Sequence, residues 1–405
     1  MLIVKKFGGT SVANAERIMN VANRLIESYK EGNKIVVVLS AQGDTTDDLI
    51  KKAGEINPHA SKREMDMLLS TGEQQSVALM AMAVQKLGYP AVSLNAFQCD
   101  IYSNSTYGNA HIKNISTERI SEELDRNNIV IVTGFQGINR GGNITTLGRG
   151  GSDTSAVALA AILNADLCEI YTDVDGVYTS DPRIVKNARK LSEISYDEML
   201  ELASLGAKVL HNRSVELAKK YNVNLVVRSS LTREEGTIVK EESAVEKMLV
   251  NGVAVDKDIS RIALVGLKDQ PGIAFNVFSL LAKNKISVDI ILQSIGREDK
   301  KDISFTVSTA DLNDALDVIE KNKNRFSYEQ LLHDDKVAKV SIVGAGMATN
   351  SGVASTMFEA LYDENINIKM ISTSEIKISV LVTENDAERA ANAIHEKFRL
   401  DEIGK

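Results

Sequence analysis

Along the first 240 residues, short apolar runs alternate with longer stretches in which apolar residues recur every three or four positions. The runs at 2–6, 35–40, 91–94, 129–134, 167–172 and 225–228 include IVVVLS and VIVTG, with almost no polar interruption. Strands covered on both faces have this composition, and the periodic stretches between them supply crossover helices. The pattern predicts a three-layer α/β/α fold with a mostly parallel central sheet. The stretch 61–87 opens on Ser61 with Glu64 three residues on, a capping-box spacing. Its methionines, Met65, Met67, Met80 and Met82, read as a packing face. In an open parallel sheet, ligands gather outside the carboxyl ends of the strands.

After a charged linker at 232–247 the pattern changes and the chain repeats itself. ALVGLKDQPGIAFNVFSLLAKNKISVDIILQS (263–294) aligns with SIVGAGMATNSGVASTMFEALYDENINIKMISTS (341–374). Gly266 matches Gly344, Gly272 matches Gly352, Phe278 matches Phe358, Leu281 matches Leu361 and Ile286 matches Ile366. Each unit reads strand–helix–strand–strand–helix, a ferredoxin-like βαββαβ order. The first unit has a last strand at 330–333, whereas the second runs out of chain. A spare strand at 249–255 is expected to complete the second sheet and interlock the two units. The expected division is 1–240, a linker and spare strand at 241–260, then 261–334 and 335–405. VSIVGAGM (340–347) imitates a dinucleotide-binding turn, but its third glycine would fall at Thr349 and the repeat is too short for such a domain.

A chain of 405 residues exceeds one compact core. Its net charge of -8 argues against a general nucleic-acid binder, so an anionic ligand must be met by locally placed cations. Cys99 and Cys168 are the only cysteines and have no histidine at metal spacing, which argues against zinc or a disulfide scaffold and fits a reducing cytoplasm. No apolar run reaches membrane-spanning length, and the N-terminus reads as a first core strand rather than a signal peptide.

Two glycine-rich loops carry the chemistry. TTLGRGGSDTSA (145–156) runs into an apolar helical pattern, and KKFGGTS (5–11) lies between a strand and a helix. Glycine lets backbone approach an anion closely, a helix N-terminus adds unpaired N–H groups, and Lys6 and Arg149 add charge. Neither loop is a Walker sequence, and no GxGxxG is present. A third segment, TDVDGVYTSDPR (172–183), offers acids for ribose hydroxyls, an aromatic ring and an arginine for phosphates. Its plain alternative is an Asp-Gly turn. Together the loops suggest phosphoryl transfer from a nucleotide to a small anion. No nucleophile elbow or Ser/His/Asp set is visible. A carboxylate acceptor is already ionised at neutral pH and needs no general base, only positioning and fixed positive charge. Lys208 in GAKVLH is a further candidate cation, its alternative being a solvated helix lysine.

KFGGTS, STGE (70–73), GFQGIN, TTLGRGGSDTSA, TDVDGVYTSDPR, LASLGAKVLH and the paired repeats resemble, in order and over the whole chain, the aspartate kinases of the amino-acid kinase superfamily. The repeats resemble ACT domains, which bind regulatory amino acids. The resemblance implies phosphorylation of the side-chain carboxylate of L-aspartate by ATP with magnesium, the first step towards lysine, threonine, methionine and diaminopimelate. It also implies feedback by lysine, threonine or both, and a cytoplasmic homo-oligomer paired through ACT units. It places Lys6 at the transferring phosphate beside Gly8 and Gly9, with Asp153 orienting the active-site lysines. Ser40, Thr46, Glu73, Arg149, Gly150 and Ser152 fall on the substrate side, with Glu73 at the ammonium and Arg149 at the α-carboxylate. Thr172, Asp173, Tyr178, Arg183 and Lys208 match nucleotide contacts, and no protein ligand for magnesium is implied. Asp269, Gly272, Ala274 and Gln293 match inhibitor-pocket positions of the first repeat. Asn367, Ile368, Thr373, Ser374 and Glu375 match those of the second. Many members have proline where this chain has Asn212. The alternatives are a same-fold kinase of another carboxylate, such as glutamate or N-acetylglutamate, and a catalytically inactive amino-acid sensor.

Overall fold

The computed structural model describes residues 1–205, 209–241, 249–294, 296, 299–345, 347, 350 and 352–402. Among these the chain divides into two compact units. One comprises 1–178 and 190–241, the other 179–189 and 249–402.

The first unit is built on an eight-stranded sheet. From one edge its strands run Glu193–Ser195, Thr237–Lys240, Leu225–Ser229, Leu167–Thr172, Leu2–Phe7, Lys34–Leu39, Ile129–Thr133 and Ala91–Leu94. Only the pairing of Leu225–Ser229 with Thr237–Lys240 is antiparallel. The uninterrupted apolar runs are thus the buried parallel strands, as the composition requires. Helix Ala15–Lys30 is capped by Asn14, whose side chain accepts from the Arg17 amide at 3.0 Å. With helix Lys62–Lys86 it covers one face, where Phe7, Val37, Leu39, Ile131, Leu25 and Met80 share a core. Helix Gly151–Ile162 packs on the other face. The methionines of the long helix do not form one packing face. Met80 is fully buried, but Met67 and Met82 are about half exposed, because the helix turns them away from the sheet.

A second, small sheet is not apparent in the sequence pattern. Its order is Ile112–Ile115, Ile101–Ser103, Gln136–Ile138 and Ile144–Thr146. Its strands are three or four residues long and half polar, too short for periodicity to register.

The second unit contains two antiparallel four-stranded sheets. One is Ile291–Gln293, Lys300–Val307, Ser260–Lys268 and Gln330–Asp334, wholly from the first repeat. The other is Gly252–Asp256, Val337–Val343, Lys377–Thr383 and Met370–Thr373. Strand Gly252–Asp256 pairs antiparallel with Val337–Val343, so the segment left spare by the sequence serves the second repeat, across the whole of the first. Lys339 reaches Asp289 at 2.5 Å and Lys369 reaches Asp334 at 2.7 Å, tying the repeats together. Segment 179–189, which the sequence assigns to the catalytic half, packs instead in this unit. Val185 joins the core of the second repeat, Thr179 accepts from the Val253 amide at 2.7 Å, and its hydroxyl meets the buried His395 ring at 2.8 Å.

Candidate active site

The alternation of strand Leu2–Phe7 sends consecutive lysines to opposite faces. Lys5 is buried against Glu169 at 2.5 Å. Lys6 points the other way, to Asp153 at 2.7 Å in the first turn of helix Gly151–Ile162. Two apparently equivalent lysines are therefore separated into a structural and an available one. The strand ends in Gly8 and Gly9. A Cβ on Gly9 would lie 2.6 Å from the carbonyl oxygen of Ala41, so only glycine lets this turn meet the next. Ser40 donates its amide to Phe7 at 3.2 Å and Gly43 donates to Gly9 at 3.0 Å, joining the loops at the carboxyl ends of two neighbouring strands. Helix Thr45–Ile56 follows, with Thr46 at the cleft.

Helix Lys62–Lys86 forms a second wall. Asp66, Ser70 and Glu73, spaced four and three apart, present a buried polar stripe. One Glu73 oxygen accepts from the Ala41 amide at 3.1 Å, and the other has no hydrogen-bond partner although buried. Burial pushes the Glu73 carboxyl up to about 7. An unpartnered buried carboxylate oxygen calls for a hydrogen-bond donor.

The third wall is the loop 146–150 and the start of helix Gly151–Ile162. Gly148 and Gly150 both adopt left-handed backbone, at φ 79° and 63°. A Cβ on Gly150 would fall 2.2 Å from the His211 ring. Arg149 stands between them, exposed at the cleft and, among the described residues, without a carboxylate partner. Ser152 and Asp153 lie in the first helical turn, whose amides add positive potential.

Together these walls enclose a cleft of about 1070 Å³. It brings together Lys6, Gly8, Gly9, Ser40, Thr46, Glu73, Arg149, Gly150, Ser152 and Asp153. Thr172, Asp173 and Tyr178 belong to the same unit but not to this lining. Thr172 donates to Asp173 at 2.9 Å, and Tyr178 donates to Asp175 at 2.9 Å, where Lys190 also binds at 3.2 Å. Arg183 lies in the second unit, paired with Asp181 at 2.7 Å. Lys208 lies outside the described residues. Asn212 opens helix Asn212–Tyr221 and bonds Ser204 at 2.8 Å, so the position tolerates a side chain other than proline.

Of the positions expected to line an inhibitor pocket, Asp269 pairs with Lys301 at 2.8 Å, Gly272 caps helix Ile273–Lys283 at φ 90°, and Ala274 lies in its first turn. Gln293 ends an exposed edge strand of the same sheet. Asn367 and Ile368 precede strand Met370–Thr373 of the other sheet, and Thr373, Ser374 and Glu375 are exposed at its end.

The cleft also contains residues that sequence reasoning missed: Asp66, Tyr107, Gly108, Asn109 and Phe135. The helical spacing of Asp66, Ser70 and Glu73 was a usable signal for the first. SNSTYGNA (103–110) carried only an unremarked glycine, held at φ 78°.

The amino acid kinase family model matches residues 1–229, and the ACT domain model matches 262–322 and 340–398. Aspartokinase from Bacillus sp. strain MGA3 is 53% identical over 400 residues, covering 98% of this chain and 97% of that protein. The crystal structure of E. coli aspartokinase III in complex with aspartate and ADP, described as the R-state, superposes at a TM-score of 0.81 with 26% identity, covering 98% of this chain and 99% of the other. The same enzyme in complex with lysine and aspartate, described as the T-state, gives 0.77 at 26% identity and the same coverage.

Proposed function

The chain belongs to the aspartokinases of the amino acid kinase family, and from that premise we propose how its own residues carry the reaction. It is an aspartate kinase with ACT regulatory domains, phosphorylating the side-chain carboxylate of L-aspartate. The observation that carries the assignment of the site is the unpartnered Glu73 oxygen in one cleft with Arg149 and the Lys6–Asp153 pair.

Free aspartate has one ammonium and two carboxylates. Glu73 takes the ammonium through its open oxygen, and binding draws the carboxyl to its ionised form. Arg149 takes the α-carboxylate as a fork, with Ser40, Thr46 and Ser152 as hydroxyl partners. The side-chain carboxylate then points towards Lys6. The acceptor is ionised, so the barrier is repulsion between anions, and Lys6 offsets the charge on the transferring phosphoryl group. Asp153 holds the ammonium of Lys6 in place, while Gly8 and Gly9 let main-chain amides approach the phosphate.

The donor is ATP, consistent with the ADP bound by the E. coli relative. Magnesium would supply charge neutralisation at the phosphates, and no residue of this chain is assigned to hold it. Thr172, Asp173, Tyr178 and Lys208 are the proposed nucleoside and phosphate contacts. The ACT repeats bind end-product amino acids, lysine, threonine or both, at Asp269, Gly272, Ala274 and Gln293 together with Asn367, Ile368, Thr373, Ser374 and Glu375. ACT units of a homo-oligomer pair in the cytoplasm, so a ligand acts through its differential affinity for two states. The test is ATP turnover by the full chain with L-aspartate, L-glutamate and N-acetylglutamate, with and without lysine and threonine. Turnover confined to L-aspartate and suppressed by one amino acid or by both together supports the reading. Comparable turnover with N-acetylglutamate contradicts the role of Glu73.

A further inference from the structure

Arg149 sits on an arc of left-handed glycines, yet the main chain leading into it is unusually well held. The Thr146 amide donates to the Asp66 carboxylate at 2.9 Å, and the Thr146 carbonyl accepts from the Ala110 amide at 2.8 Å. The Leu147 amide donates to the Phe135 carbonyl at 2.8 Å, and the Leu147 carbonyl accepts from the Arg213 guanidinium at 2.9 Å. Both main-chain groups of both residues are thus satisfied before the arc begins. On its far side the arc is closed by the Gly151 amide donating to Gly148 at 3.0 Å and by His211 against Gly150.

Asp66 and Arg213 span the gap between this loop and the neighbouring loop 104–110. Asp66, 1% exposed, also accepts from the Gly108 amide at 3.0 Å and the Thr146 hydroxyl at 2.8 Å. The second branch of the Arg213 fork donates to the Ala110 carbonyl at 2.7 Å. One buried anion gathers amides, at 108 and 146, and one cation gathers carbonyls, at 110 and 147, in the same two loops. Charge-assisted bonds of this kind are stronger than neutral ones. A carboxylate in an anion-binding cleft also repels the ligand, so its position there needs a compensating use. Its three donors absorb the charge and turn it into alignment.

We propose that Asp66 and Arg213 are positioning residues for aspartate binding: they lock loops 104–110 and 146–147 together and so fix the direction in which Arg149 presents its guanidinium. This rests on the assignment of Arg149 to the α-carboxylate. The two residues act on the acceptor half of the site.

The experiment is steady-state kinetics of the full chain with L-aspartate and ATP varied separately, for Asp66→Ala, Asp66→Asn, Arg213→Lys, Arg149→Ala and the double variant Asp66→Ala/Arg149→Ala. Asp66→Ala is expected to raise KM for aspartate by about tenfold or more while leaving KM for ATP within about twofold. Asp66→Asn keeps one oxygen for both amides and can donate to Thr146, so it is expected to rescue binding to within about threefold of the unaltered enzyme. A lysine cannot serve two carbonyls as a fork, so Arg213→Lys is expected to raise KM for aspartate in the same selective manner. With Arg149 already removed, Asp66→Ala is expected to add less than about threefold, since it acts through that side chain.

Equal losses for aspartate and ATP, full additivity in the double variant, or Asp66→Asn as impaired as Asp66→Ala would overturn the proposal. The last result would mean that Asp66 meets the substrate ammonium itself. If Asp66→Ala does not fold, Arg213→Lys and Asp66→Asn decide alone, and an unchanged aspartate KM in Arg213→Lys overturns the idea. An unchanged aspartate KM in Arg149→Ala would instead remove the carboxylate assignment beneath it, a failure visible in that single variant.

Discussion

Replacing Glu73 by glutamine separates what the residue costs the fold from what it gives the substrate. Glu73 is 3% exposed, and one of its oxygens has no partner. Burial raises its carboxyl from 4.5 to about 7. That rise corresponds to about 3 kcal/mol between the protonated and ionised forms. The folded protein holds this proton where the unfolded chain has lost it, so stability falls as pH rises from about 4.5 to about 7 and is level above that. Glutamine keeps the acceptor for the Ala41 amide and carries no charge. Glu73→Gln is therefore expected to be more stable than the unaltered protein above pH 7, by up to about 3 kcal/mol, with the advantage vanishing towards pH 4.5. Thermal unfolding of both proteins at several pH values measures this difference. The substrate effect has the opposite sign. Loss of a charge-assisted bond costs about 1.5–3 kcal/mol, so the aspartate KM should rise by about ten- to a hundredfold. For the unaltered enzyme the ammonium needs the ionised carboxylate, so KM for aspartate should rise as pH falls below 7 by up to about tenfold per unit. A stability difference independent of pH, or an unchanged aspartate KM in Glu73→Gln, would refute the reasoning.

Three further outcomes follow from the same geometry. Lys6→Ala should reduce turnover by more than about a thousandfold, since the positive charge at the phosphoryl group is lost; it should also destabilise the fold by leaving Asp153 unpaired, and Lys6→Met/Asp153→Asn should recover the melting temperature but not turnover, with recovered turnover counting against the role of Lys6. Gly150→Ala combines a left-handed φ with a 2.2 Å approach to His211, and should lower the melting temperature and raise KM for aspartate; normal behaviour in both assays would show that the arc adapts freely. Gln293→Ala or Thr373→Ala should shift lysine or threonine inhibition to higher concentration with little change in uninhibited rate, whereas superimposable inhibition curves for both would remove these positions from the pocket.

The parts of the fold that were legible in the sequence are those with strong local signals. Strands such as Lys34–Leu39 and Ile129–Thr133 are uninterrupted apolar runs, and the capping residue Ser61 stands where its helix begins. The repeat was visible because matched glycines and apolar positions recur at fixed spacing. Three features escaped for physical reasons. The small sheet has strands too short for a period to emerge. The docking of segment 179–189 on the second repeat depends on contacts such as Thr179 with His395, 216 positions apart, which no local pattern encodes. Asp66 bonds to amides at 108 and 146, and only its phase with Ser70 and Glu73 on the helix hinted at burial. The lysine pair is a mixed case. Alternation alone predicts that Lys5 and Lys6 point apart, but which of them meets the cleft depends on Glus and Asps far along the chain, Glu169 and Asp153.

The cleft around Lys6, Glu73 and Arg149 is proposed to phosphorylate the side-chain carboxylate of L-aspartate. The most direct measurement is trapping of the acyl phosphate with hydroxylamine during ATP turnover, comparing the unaltered chain with Lys6→Ala and Arg149→Ala. The side-chain hydroxamate of aspartate is expected from the unaltered chain, none above background from Lys6→Ala, and recovery in Arg149→Ala only at much higher aspartate. Hydroxamate formed equally by all three proteins would contradict it.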